Sequence, residues 1–241
     1  MLRPFLCAIS FLTRIPVRGA SFSEPEVARS AGFFAWVGAL IGALLWALAA
    51  LTPHLGERLT GLLCVAAWAA LTGGLHLDGL ADAIDGLSGG RGQPARTLEI
   101  MRDSRIGAHG ALALVLVVAL KAYALERLLS LNPVGLWLAP VLARFLCTLL
   151  IVGFPYARES GLGAAFRGRV GLRELALGVP PLAASLWLAG PSAIWGLLLG
   201  SAAALWLSLR FRRLLAGLTG DVYGAAIELA EAACLLGLCL R

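Results

Sequence analysis

The sequence predicts an all-α fold: a polytopic integral membrane bundle of about seven helices, one domain over residues 1–241, with its reactive groups at the cytoplasmic face. Three observations predict it. Of 241 residues, 59% are hydrophobic and 14% charged, where a soluble domain carries about 25% charged residues and must clothe its surface in polar groups. Apolar runs of about 17–25 residues, enough to cross a bilayer core, recur along the chain. Arginine collects in alternate breaks between them. This composition excludes an ordinary cytosolic enzyme, a disordered chain and a disulfide-stapled secreted domain.

The segments follow in order. The apolar stretch Phe5–Phe11 is short and bounded by Arg3 and Arg14, so it reads as interfacial and not as a cleavable signal. Apolar runs at 31–52 and 59–77 give the first two spans. Runs at 108–126 and 134–154 give two more, carrying Lys121 and Arg144 inside the membrane. Spans at 174–190 and 193–209 follow. The last, 215–240, carries Asp221, Glu228 and Glu231, which leaves re-entry at its start as the alternative to a full crossing. Ser88–Gly92 reads as a turn between them: a backbone nest for an anion is the other reading, but no Walker-type glycine motif is present. Frequent glycine and alanine suit close helix packing. The seven tryptophans suit interfacial or packing positions.

Fifteen arginines fall on the side of residues 1–30, 78–107, 155–173 and 210–213. Arg58, Arg127 and Arg241 fall on the other. That bias places the N-terminus on the cytoplasmic side of the membrane, which is expected to be a bacterial inner membrane. The formal net charge is +6, yet nothing resembles a nucleic-acid-binding motif, so lipid and not nucleic acid is the expected partner. Five scattered cysteines, without a CxxC pair, form neither a disulfide framework nor a metal site.

The scarce carboxylates lie on the arginine-rich side. In GGLHLDGLADAIDG (73–86), Asp78, Asp82 and Asp85 stand at i, i+4 and i+7 and share one helix face. Like charges there repel unless a cation neutralises them, and oxygen ligands beside a phosphate substrate suit Mg2+. A solvated acidic face is the plainer alternative. His76, two residues before Asp78, suits an orienting role better than direct ligation. Asp103 sits between Arg102 and Arg105, a cluster suited to a diphosphate, or to a simple surface ion pair. Arg14 and Arg158 are further rim arginines, and for Arg158 the positive-inside bias is the simpler account. Asp221, Glu228 and Glu231 lie on roughly one helical stripe. Carboxylates inside an apolar segment point to function, although Lys121 and Arg144 are natural counter-charges for Glu231.

The blocks FLTRIPV (11–17), GGLHLDGLADAIDG, MRDSRIGAHG (101–110) and GLTGDVYGAAIELAE (217–231) together resemble the adenosylcobinamide-GDP ribazoletransferase, or cobalamin synthase, family. The resemblance runs from about residue 5 to about 235, with the motifs in the family's order. It implies a magnesium-dependent integral membrane enzyme late in vitamin B12 synthesis. Such an enzyme joins adenosylcobinamide-GDP to α-ribazole or its 5′-phosphate and releases GMP. It also implies association with other membrane-bound enzymes of that pathway. On this basis Asp78, Asp82, Asp85 and Asp221 are the expected magnesium ligands. Arg14, Arg102 and Arg105 are the expected phosphate binders, and Asp82, Asp103, His76 and Glu228 the candidates for orienting or deprotonating the attacking hydroxyl. Rival readings fit the motifs less well. A CDP-alcohol phosphotransferase needs an Ala-Arg pair soon after Asp-Gly, whereas LADAIDG follows here. A cation transporter would use Asp221, Glu228 and Glu231 as a pathway near the bilayer midplane.

Overall fold

A computed structural model describes residues 1–19, 22–158 and 161–240. Arg241, counted above on the arginine-poor side, lies outside them. Among the described residues there are eleven α-helices: α1 (Leu2–Leu12), α2 (Glu24–Ser30), α3 (Phe34–Ala49), α4 (Thr52–Thr72), α5 (Leu75–Gly89), α6 (Pro94–Ile100), α7 (Ala108–Leu131), α8 (Leu138–Gly153), α9 (Leu172–Ala189), α10 (Ala193–Leu215) and α11 (Gly220–Leu238). The chain is a polytopic helical membrane protein. Five stretches are long and apolar enough to cross a bilayer: Glu24–Ala49, Thr52–Thr72, Ala108–Leu131, Pro133–Gly153 and Leu172–Leu215. The last stretch is two helices, because Gly190 (φ 69°) breaks it between α9 and α10.

Helices α3, α4 and α7–α11 overlap the seven apolar runs, but α4 begins seven residues before its run, α7 extends five residues beyond its own, and α10 continues through Arg210, Arg212 and Arg213 to Leu215. The 59–77 run ends early, since α4 stops at Thr72 and α5 begins at Leu75. Gly73 (φ 64°) and Gly74 (φ 71°) take left-handed conformations that close the turn. Hydropathy alone reads through two glycines, whereas the backbone bends at them. Helix α11 runs unbroken for 19 residues, or about 28 Å at 1.5 Å per residue. Its three carboxylates keep it out of the apolar set. Ser88–Gly92 is the turn between α5 and α6, with Arg91 (φ 49°) and Gly92 (φ 77°) left-handed. Many large apolar side chains on α4, α7 and α10 face outward, among them Leu62, Leu116 and Trp206, as a lipid-facing surface requires. The five cysteines are free.

Helix α11 is the centre of the bundle and packs on α10, α5, α8 and α7. Its contact with α5 is close. A Cβ on Gly79 would stand 2.8 Å from the Asp221 carbonyl oxygen, and one on Gly224 would stand 3.3 Å from the His76 Cα. Small residues at both points let the two backbones meet, which brings the Asp78–Asp82 face beside Asp221.

Candidate functional site

Two adjoining cavities lie where the arginine-rich segments converge. The larger, about 720 Å3, is bounded by the end of α1, the α4–α5 turn, the first half of α5 and residues 101–106. Asp78, Asp82, Arg14, Arg102, Asp103 and Arg105 all line it. The smaller, about 390 Å3, lies between α5, α8, α11 and the loop after α8. Asp78, Ser10, Phe11 and Leu75 border both.

Local structure explains each placement. The Arg14 backbone N–H donates to the Leu71 carbonyl at 2.7 Å, and its side chain lies across Gly73, where a Cβ would overlap it. Asp78 and Asp82 follow one another on a turn of α5, as their spacing predicts. Burial, with the neighbouring Asp78 and Asp221 carboxylates, pushes the Asp82 carboxyl up to about 6. Arg105 forks onto Asp103, its Nη2 donating to Oδ2 at 2.6 Å and its Nε to Oδ1 at 3.0 Å. Those bonds hold the Asp103 carboxyl down at about 2.

The other sequence candidates are held differently. Asp85 accepts the Gly107 backbone N–H at 2.7 Å and that of Gly110 at 2.8 Å. It thereby satisfies orphan donors in the first turn of α7. Glu228 lines neither cavity. Lys121 donates to it at 2.5 Å and also pairs with Glu231, which in turn pairs with Arg144. Two cations and two carboxylates thus balance inside the bundle, joining α7, α8 and α11, and Lys121 also lies 4.5 Å over the Trp68 ring. The counter-charge reading of Glu231 therefore holds, and Glu228 shares it. His76 borders the smaller cavity. Its Nδ1 faces Arg144 Nη2 at 3.5 Å, and its Nε2 is buried without a partner.

Arg158 is the residue that the charge-bias account undervalued. Its Nη2 lies 2.8 Å from the Asp221 carboxylate. A short parallel bridge sets this up: the Ala157 N–H donates to the Leu218 carbonyl and the Leu218 N–H to the Pro155 carbonyl, both at 2.8 Å. No local spacing announces the pair, because its halves lie in distant segments.

Among the described residues, no group of three or more His, Cys, Asp or Glu side chains is arranged to hold a metal ion. The donor chemistry nonetheless fits magnesium, which binds through one or two carboxylates and completes its shell with water and substrate phosphate. Asp78 and Asp82 are such a pair. Although burial is the main cause of the upward push on Asp82, the repulsion from Asp78 and Asp221 that adds to it is what a cation would relieve.

The cobalamin-5-phosphate synthase family model matches residues 4–239. The chain is 43% identical over 248 residues to the adenosylcobinamide-GDP ribazoletransferase of Pseudomonas fluorescens, covering 98% of this chain and 99% of that one. It is 44% identical to the protein of that name from Pseudomonas aeruginosa, covering 99% and 98%. For the one from Desulfitobacterium hafniense the identity is 38%, covering 98% and 96%. No solved structure matches it. With matches that span nearly its whole length, the chain belongs to the cobalamin-5-phosphate synthase family and is a transferase.

Proposed function

We propose that this chain joins adenosylcobinamide-GDP to α-ribazole, or to α-ribazole 5′-phosphate, giving adenosylcobalamin or its 5′-phosphate and GMP. The observation that carries this reading is the 720 Å3 cavity, where Asp78 and Asp82 line the same space as Arg14, Arg102 and Arg105. Such a set suits a diphosphate held between arginines and a carboxylate-bound cation.

A ribose hydroxyl oxygen forms the new bond to the cobinamide-side phosphorus. The bond from that phosphorus to the bridging oxygen breaks, and GMP departs with its electron pair. Asp78 and Asp82 would hold magnesium, with Asp221 beside them. When bound, the ion supplies neutralisation of the charge on the phosphate oxygens. Arg14, Arg102 and Arg105 bind further oxygens and fix the diphosphate in line. The hydroxyl proton leaves late in a loose transition state and passes to solvent water, so orientation of the hydroxyl matters more than the strength of a base. Asp103, pinned by Arg105, fixes that guanidinium on the cavity lining. Asp85 is assigned to capping α7 and Glu228 to the buried ion network. The membrane is a bacterial inner membrane in this reading, and the arginine bias supports an orientation with the N-terminus and both cavities facing the cytoplasm.

GMP release from adenosylcobinamide-GDP plus α-ribazole, with and without magnesium, tests the reading. Release that needs both substrates and the ion is expected, and Asp82→Asn should abolish it while the protein still inserts. Near wild-type transfer by that variant would overturn the assignment.

A further inference from the structure

The smaller cavity has a chemistry of its own. Phe11, Phe34 and Phe166 form an aromatic cluster on its lining, with ring centroids 5.9 Å apart. Tyr156 and Tyr223 also line it, their rings stacked 6.4 Å apart at 21°. Its charged groups are few: Asp78, shared with the larger cavity, and the Arg158–Asp221 pair.

Resting on the transfer reading above, we infer that this cavity binds the benzimidazole base of α-ribazole, and that Asp78 marks the point where the two substrates meet. Benzimidazole is flat, fused and mostly apolar, with one unsubstituted ring nitrogen. Aromatic walls favour such a ring by burial and stacking. Guanine, the other flat base of the reaction, presents an amide and an amino edge that need several buried partners, and here the Arg158 guanidinium and Asp221 carboxylate that could serve are already paired with each other. The volume falls within the range of about 300–1,000 Å3 of small-molecule sites. With the base seated here, the attached ribose lies toward Asp78. The diphosphate then occupies the Asp/Arg-lined cavity on the other side, which brings hydroxyl and phosphorus together by position.

Photolabelling of the intact protein in lipid vesicles with 5-azidobenzimidazole, with and without competing α-ribazole, locates the base independently of turnover. Adducts on Tyr156, Phe166 or Tyr223 that α-ribazole suppresses are expected. Suppressible adducts confined to residues 101–106, or none, would overturn the assignment. A second arm fills the cavity with Ile151→Trp. The KM for α-ribazole should rise at least about tenfold while that for adenosylcobinamide-GDP stays within about twofold. An unchanged KM for α-ribazole, or a shift confined to adenosylcobinamide-GDP, counts against the proposal. Where the variant does not fold, the wild-type labelling decides. Labelling as expected from a protein that releases no GMP would remove the transfer reading and leave the base site standing.

Discussion

The Arg158 guanidinium stands 2.8 Å from the Asp221 carboxylate and ties the loop after α8 to the first turn of α11. Without it, Asp221 would face the Asp78–Asp82 pair with no counter-charge. Arg158→Ala is therefore expected to lower kcat/KM for GMP release by at least about tenfold, with Arg158→Lys retaining part of the activity. Unchanged kinetics in the alanine variant would show that the pair plays no part in the site.

Asp85 caps α7, and its loss should read as a stability effect. Asp85→Ala leaves the Gly107 and Gly110 N–H groups without their acceptor, a loss of about 1–2 kcal/mol by analogy with other helix caps. Thermal unfolding in detergent should show a Tm lower by several degrees. Asp85→Asn keeps one acceptor oxygen and should retain much of the turnover, whereas a metal ligand would lose nearly all of it.

The raised Asp82 carboxyl links pH, magnesium and stability. An unfolded aspartate titrates near 3.9, while burial and its acidic neighbours push Asp82 up to about 6 in the folded chain. The folded state thus holds the proton more tightly. In magnesium-free buffer, stability should fall as pH rises from about 4 to about 6 and then level off. A Tm profile across that window measures it. Asp82→Asn should flatten the profile, and magnesium should raise the wild-type Tm at neutral pH.

The buried ion network is the other place where one substitution should weigh heavily. Glu231→Gln leaves Arg144 without its carboxylate, at full burial on both sides, and Lys121 with Glu228 alone. Breaking a buried pair from one side costs about 3–5 kcal/mol. Denaturant unfolding should show a marked loss for Glu231→Gln. Pairing it with Arg144→Met should cost less than the sum of the two single changes, and additive losses would show the pair to be uncoupled.

The helices were legible because hydropathy needs only local composition, and all seven apolar runs fold as helices. The α4–α5 boundary was less so, because two consecutive left-handed glycines interrupt a run that stays apolar. Spacing placed Asp78 and Asp82 on one face correctly, and the Asp/Arg block at 102–105 reached the same cavity. Spacing also grouped Asp85 with them, yet its partners are backbone N–H groups at the start of α7, which no side-chain pattern records. For Glu228 the stripe on α11 was real, but Lys121 and Arg144 on two other helices decide what that stripe does. Arg158 and Asp221 lie too far apart in sequence for either to announce the other.

The backbone contact of Gly79 and Gly224 with the opposite helix has a consequence for biogenesis. Helix α11 follows the other ten described helices in the chain, yet it closes one side of the smaller cavity and sets Asp221 beside the α5 carboxylates. Every earlier segment is already made when it arrives. A nascent chain halted before residue 220 would insert most of its helices and hold an unfinished site. The smaller cavity therefore stays without one wall until α11 packs, and Asp221 meets the α5 carboxylates only then.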